Sequence, residues 1–290
     1  MARRIYVDSR FRHQGTEGDF RVILDTPVEL SEGALGYIDS LCLSNTFPTL
    51  ISGVNNRLYV RQLMSGVGSG PKDTNLVLTP GQYTPATLAT EVQAKLNQTK
   101  INAGITYAVT ASTDGSTLTV GMTGPADPSN GTSLKILTSR EVDAGGPADW
   151  GQANASHGLP AAHAPEKYQD AGMVLGLQSG SFSLLVNETL TSDFVSMIPY
   201  RTLFLHSHLG SPLSVGPRGE NTICRRIIVG HTLPGQVVLD NLSTEIDNIE
   251  LPPMLAEMHF SLRDIYGRPV DLQGHSISFA LVIREFPRGK

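Results

Sequence analysis

Apolar and polar residues alternate with a period of two over two separate parts of the chain. Residues 4–10 set Ile5 and Val7 against Tyr6 and Asp8. Residues 19–24 follow a turn that contains Gly15 and Gly18. Residues 35–45 place Ile38 and Cys42 on one face, with Tyr37, Leu41 and Leu43 around them. Residues 56–63 alternate Leu58 and Val60 against Arg57, Tyr59 and Arg61. The pattern resumes near residue 200. Residues 201–209 put Leu203 and Leu205 opposite Phe204, His206 and His208, and residues 257–267 put Met258, Phe260 and Leu262 opposite His259, Ser261 and Arg263. Residues 275–286 alternate Ile277, Phe279, Leu281 and Ile283. Successive side chains of a strand point to opposite faces, so each run predicts a strand with one buried and one wet face. Residues 224–232 and 235–240 predict two more strands. Leu233-Pro234 between them predicts a bend, because proline cannot donate to a ladder. These outer parts supply about eight strands, the count of a jelly roll.

The middle of the chain follows another period. Leu88, Val92 and Leu96 recur every four residues, with Ala89 beside them, and predict one amphipathic helix. Thr84 is a good N-cap and Pro85 suits the first helical position. Glu91 and Lys95 are spaced for an ion pair on the wet face. Asp114-Gly115 lies between residues 105–112 and 116–123 and predicts a hairpin. Residues 133–139 predict a further strand, and residues 168–177 a short helix ending at Gly176. Residues 140–166, rich in Gly, Ala and Pro, predict a long loop. The predicted fold is mainly β: an eight-stranded antiparallel jelly roll made by residues 1–65 and 196–290, with residues 66–195 inserted as an α+β subdomain.

Composition narrows the function. Hydrophobic residues make up 40% of the 290, enough for a core. The net charge of −5 argues against a global grip on nucleic acid, which needs a positive surface. Arg3, Arg4, Arg10 and Arg12 form a local basic exception. The basic start has no apolar stretch behind it, so no secretory signal is expected. No apolar run approaches the roughly 20 residues of a membrane span. Cys42 and Cys224 are too few for a disulfide framework and are expected as buried free thiols.

Four segments carry a family resemblance: RIYVDSRFRHQGTEGDFRVIL at the start, VNNRLYV (54–60), LTPGQYTPATLATEVQAKLN (78–97) and FSLRDIYGRPVDLQGHSISFALVIRE (260–285). In these the chain resembles single jelly-roll penton (vertex) and minor capsid proteins of polinton-like, virophage and giant-virus type double-stranded DNA viruses. The resemblance implies a non-enzymatic structural protein of an icosahedral capsid, most simply the pentameric vertex protein. It implies a homo-oligomer, a pentamer, that contacts the major capsid protein of the same virus, with weak contact to packaged DNA as a further implication. It implies residence in the virion after synthesis in the cytoplasm or nucleus of the host, without secretion. No cofactor is expected.

Other residues offer alternative chemistry. His206-Ser207-His208 has the spacing that puts two imidazoles on one strand face, as in a cupin-like metalloenzyme. Gly230-His231 and Pro234-Gly235 echo a second cupin segment. No Glu follows His208 closely and no well-placed third His follows Gly235, so no metal ligand set is assigned. Ser183, Asp193 and His206 can be written as a triad, yet no Gly-x-Ser-x-Gly elbow surrounds a serine, and no catalytic residue is assigned. Residues 66–70 are glycine-rich but lack the Lys-Ser/Thr of a phosphate loop. Asp19, Asp25 and Asp39 show no paired spacing. Trp150 could stack on a sugar, which keeps a receptor- or glycan-binding spike or minor capsid protein as an alternative. The jelly-roll order makes two further demands. The first and last strands should pair, and the strands carrying Cys42 and Cys224 should lie side by side in one sheet.

Overall fold

The computed structural model describes residues 2–63, 72–100, 104–124, 132–138, 170–177, 182–210, 215–230, 234–240 and 248–285. The chain forms two compact units, Met1–Phe47 with Tyr200–Lys290, and Pro48–Pro199. It opens with strands β1 (Ala2–Asp8), β2 (Gln14–Gly15), β3 (Asp19–Glu29) and β4 (Leu35–Ser44). The second unit contains β5 (Arg57–Leu63), β6 (Lys72–Val77), helix α1 (Pro85–Gln98), β7 (Thr106–Ala111), β8 (Leu118–Thr123) and β9 (Ser133–Leu137). Helix α2 (Gly172–Leu175), β10 (Phe182–Leu185) and β11 (Thr189–Thr191) follow among its described residues. The chain closes with β12 (Thr202–Ser207), β13 (Ile223–Ile228), β14 (Val237–Asp240), β15 (Ile249–Glu250), β16 (Met254–Arg263) and β17 (Ile277–Arg284). The protein is mainly β and its ladders are antiparallel.

The first unit has two sheets. One runs β1-β17-β4-β14, with β15 also on β4; the other runs β13-β12-β16-β3-β2. The first and last long strands pair as expected, Val7 opposite Phe279. The expectation for the cysteine strands fails. Cys42 is on β4 and Cys224 on β13, in different sheets, because β4 takes β17, β14 and β15 as its partners. Cys224 is buried, whereas Cys42 is only half-buried.

A bulge explains the exposure of Cys42. Asp39 faces Ala280 and Cys42 faces Ser278, so Ser40 and Leu41 together face Phe279. The extra residue, Ser40, takes φ 53°. One inserted residue moves every later side chain to the other face. Gly36 and Ile38 are buried before the bulge, and Leu41 and Leu43 after it. Ile38 and Cys42 therefore lie on opposite faces, not on one face as their spacing predicts. The rings of Phe20 and Phe260 on one sheet and Phe279 on the other meet at 5.8 Å and 4.8 Å, which ties the two inner faces into one core. Arg225 on β13 and Asp240 on β14 form a two-armed ion pair of 2.8 and 2.7 Å between the sheets, both nearly buried.

The second unit has sheets β10-β9-β5-β6 and β11-β8-β7. The strand expected in the outer set over residues 56–63 is β5, and it pairs with β6 and β9 of this unit. The division between units accordingly falls at residues 47/48 and 199/200, rather than at 65/66 and 195/196. Helix α1 follows its sequence signals. Thr84 and Thr87 form a reciprocal capping box, Pro85 sits in the first turn, and Leu88, Ala89, Val92 and Leu96 are buried. Lys95 lies 3.9 Å from Glu91, whose carboxylate also accepts the Thr79 N–H. Asp114 and Gly115 make the β7–β8 turn, with Gly115 at φ 70°. Helix α2 ends on Gly176 at φ 71°, where a Cβ would strike the backbone of Phe194. Among the described residues, no helix is long and apolar enough to cross a membrane.

Candidate functional site

Alternation along β3, β12 and β16 sends Phe20, Leu205, Phe260 and Leu262 into the core. The residues between them face the other way. Phe204 pairs with Arg263, His206 with Ser261, Ser261 with Asp19, and His259 with Arg21. This outward face forms a groove of about 540 Å³, lined by His206, His208, His259, Arg218, Glu220 and Arg263 among others.

A carboxylate fixes the turn after β16. Asp264 is buried, and its Oδ1 accepts the N–H groups of Tyr266 and Arg268, each at 2.9 Å. Its Oδ2 accepts from Arg268 Nε at 2.7 Å. The turn then presents two neighbouring carbonyls. Tyr266 O accepts from Arg218 Nη1, and Gly267 O accepts from Arg263 Nη1, both at 3.0 Å. Arg263 Nε also donates to Ser261 Oγ at 3.1 Å. Gly267 has φ 76°, and a Cβ there would collide with the Arg218 guanidinium. Arg218 comes from a tight loop. Gly216 N–H donates to Glu220 O, Gly219 N–H to Gly216 O, and Arg218 N–H to Glu220 Oε2.

The histidines are held differently from one another. His206 is 8% exposed, and its Nδ1 is 2.8 Å from Thr222 Oγ1. Its Nε2 is buried and has no hydrogen-bond partner among the described residues. Burial first, and then the Arg263 charge, hold its pKa below the usual histidine value; Arg218 adds to this and Glu220 opposes it. His259 Nε2 lies 2.6 Å from Asp19 Oδ1, and its backbone N–H donates to His208 Nδ1 at 3.3 Å.

The residues singled out from sequence fall as follows. His206 is the penultimate residue of β12, while His208 lies in the exposed turn beyond it. Among the described residues, no three His, Cys, Asp or Glu side chains are grouped to hold a metal. His231, residues 66–70 and Trp150 lie outside the described residues. Ser183 is on β10 and Asp193 follows β11, both in the second unit, whereas His206 belongs to the first. Each arginine of the N-terminal cluster has a carboxylate: Arg3 has Glu285, Arg4 has Asp39, Arg10 has Asp8 and Arg12 has Glu17. The basic start is thus neutralised locally. Sequence reasoning named neither Arg218 nor Arg263 as site residues. Arg263 was readable as an outward position of β16, but nothing in its spacing joins it to Arg218.

No family model matches the chain, and no curated protein matches it by sequence. Its structure is similar to the crystal structure of the mavirus penton protein, with a TM-score of 0.52 and 9% sequence identity. The likeness covers 98% of this chain and 100% of that one, so the two share a fold from end to end.

Proposed function

We propose that the chain is a structural capsid protein of an icosahedral double-stranded DNA virus, and within that shell the vertex (penton) protein. The observation that carries this reading is the end-to-end likeness to the mavirus penton protein, which spans both units rather than one. The sheet orders support it. Strands β1-β17-β4-β14 and β13-β12-β16-β3 read as the two four-stranded halves of a jelly roll, with β2 and β15 as short additions. The second unit then reads as an α+β subdomain inserted after β4. A jelly roll hides most of its sheet edges and leaves its loops free to vary. Five copies in head-to-tail contact close a ring. On this reading the protein works by assembly and not by catalysis, and its partners are further copies of itself and the major capsid protein.

Electron microscopy of the purified protein tests the proposal. Five-fold rings are expected. A chain that stays monomeric at the highest attainable concentration, and does not join the shell when mixed with the major capsid protein, sinks it.

A further inference from the structure

The groove on the outward face of the β12–β16 sheet joins two arginines from distant parts of the chain. Arg218 and Arg263 are each tied to a carbonyl of the Asp264-held turn, at Tyr266 and Gly267. Neither guanidinium has a carboxylate partner among the described residues. The one carboxylate lining the groove, Glu220, accepts from the backbone N–H of Arg218 instead. Two like charges held toward one space by neutral carbonyls repel each other, and among the described residues their hydrogen bonds engage only Nη1 of Arg218 and Nε and Nη1 of Arg263. Beside them, His206 keeps a buried Nε2 that no group among the described residues satisfies. Arg218, Arg263 and Glu220 give the lining two positive charges against one negative. The volume of 540 Å³ lies within the range of small-ligand sites, roughly 300–1,000 Å³.

We propose that this groove is an oxyanion site, in which Arg218 and Arg263 clamp a phosphate or sulfate group. Guanidinium forks match such oxygens in pairs, and both forks here are preorganised by the same turn. Gly267 belongs to the site because a side chain there would displace the Arg218 guanidinium from its present position. The site is independent of the capsid reading and stands or falls separately from it.

Titration calorimetry on the full chain tests the site, with inorganic phosphate as the probe and sodium chloride at matched ionic strength as the control. Phosphate is expected to bind once per chain. Arg218→Gln, an exposed position, should weaken binding by about tenfold, the effect of losing charge-assisted hydrogen bonds. Glu220→Gln should tighten it several-fold, an outcome that misfolding cannot imitate. Glucose 6-phosphate separates the sources of the anion. Binding tighter than inorganic phosphate assigns the rest of the groove to a sugar carrier, and equal binding assigns a free anion. No heat beyond the chloride control overturns the proposal, as does phosphate binding that Arg218→Gln leaves unchanged.

Discussion

At the scale of single residues, two positions hold local conflicts with measurable consequences. Ser40 takes a left-handed backbone that L side chains adopt at a cost, and it does so to create the bulge that turns Leu41 inward. Ser40→Gly relieves the strain but adds freedom to the unfolded chain, so it should range from neutral to about 1 kcal/mol more stable. Ser40→Val, β-branched at the same φ, should lose about 1–3 kcal/mol. Urea unfolding of the two variants checks both signs. His206 gives a pH dependence. Its folded pKa is depressed, chiefly by burial and then by Arg263, so the unfolded chain binds a proton more readily than the folded one. Its effect on stability is absent well above the unfolded value of about 6.5 and becomes a growing penalty as pH falls through it. His206→Gln should flatten the loss of stability between pH 7 and 5. An unchanged slope would show that His206 does not titrate with folding.

At the scale of elements, stability concentrates where buried charges are paired. Arg225 and Asp240 link β13 to β14 across the two sheets. Asp240→Ala should cost about 3–5 kcal/mol, because it takes the paired carboxylate from a buried guanidinium. Arg225→Met with Asp240→Leu should cost much less than that single change, which a double-mutant cycle in urea would read. In α1, Thr84→Ala should cost about 1 kcal/mol through the lost cap. Periodicity made most elements legible. The helix stripe, the Asp114-Gly115 hairpin, the Gly176 stop and the alternating strands all answer to neighbours within a few residues. What stayed hidden depends on partners far along the chain. The bulge at Ser40 is written in no alternation pattern, β5 carries the same pattern as the strands of the other unit, and the Arg218–Arg263 pair exists only once the Asp264 turn brings their carbonyls together.

At the scale of the whole molecule, the ends of the first unit's two segments meet. Phe47 and Tyr200 stack edge to face at 5.1 Å, and burial holds the Tyr200 hydroxyl well above the usual phenol pKa. Joining Phe47 to Tyr200 through a short Gly/Ser linker should therefore leave a soluble, β-rich protein. Aggregation with loss of β circular dichroism would show that the two units share one core. The same ring contact bears on the order of events during synthesis. The second unit is one uninterrupted stretch, so all of it emerges from the ribosome before β12 exists. Strand β16, which β3 and β12 both require as a neighbour, arrives later still. Nascent β1 and β4 lack β17, the strand that joins them, and β3 lacks β16, so both sheets of the first unit stay open until the C-terminal segment emerges. Folding of the Pro48–Pro199 stretch before β12 emerges would shorten the loop that Tyr200 must close onto Phe47, and so lower the entropy lost on closure. In time, then, the stretch would act as a spacer, the part that the short linker takes over.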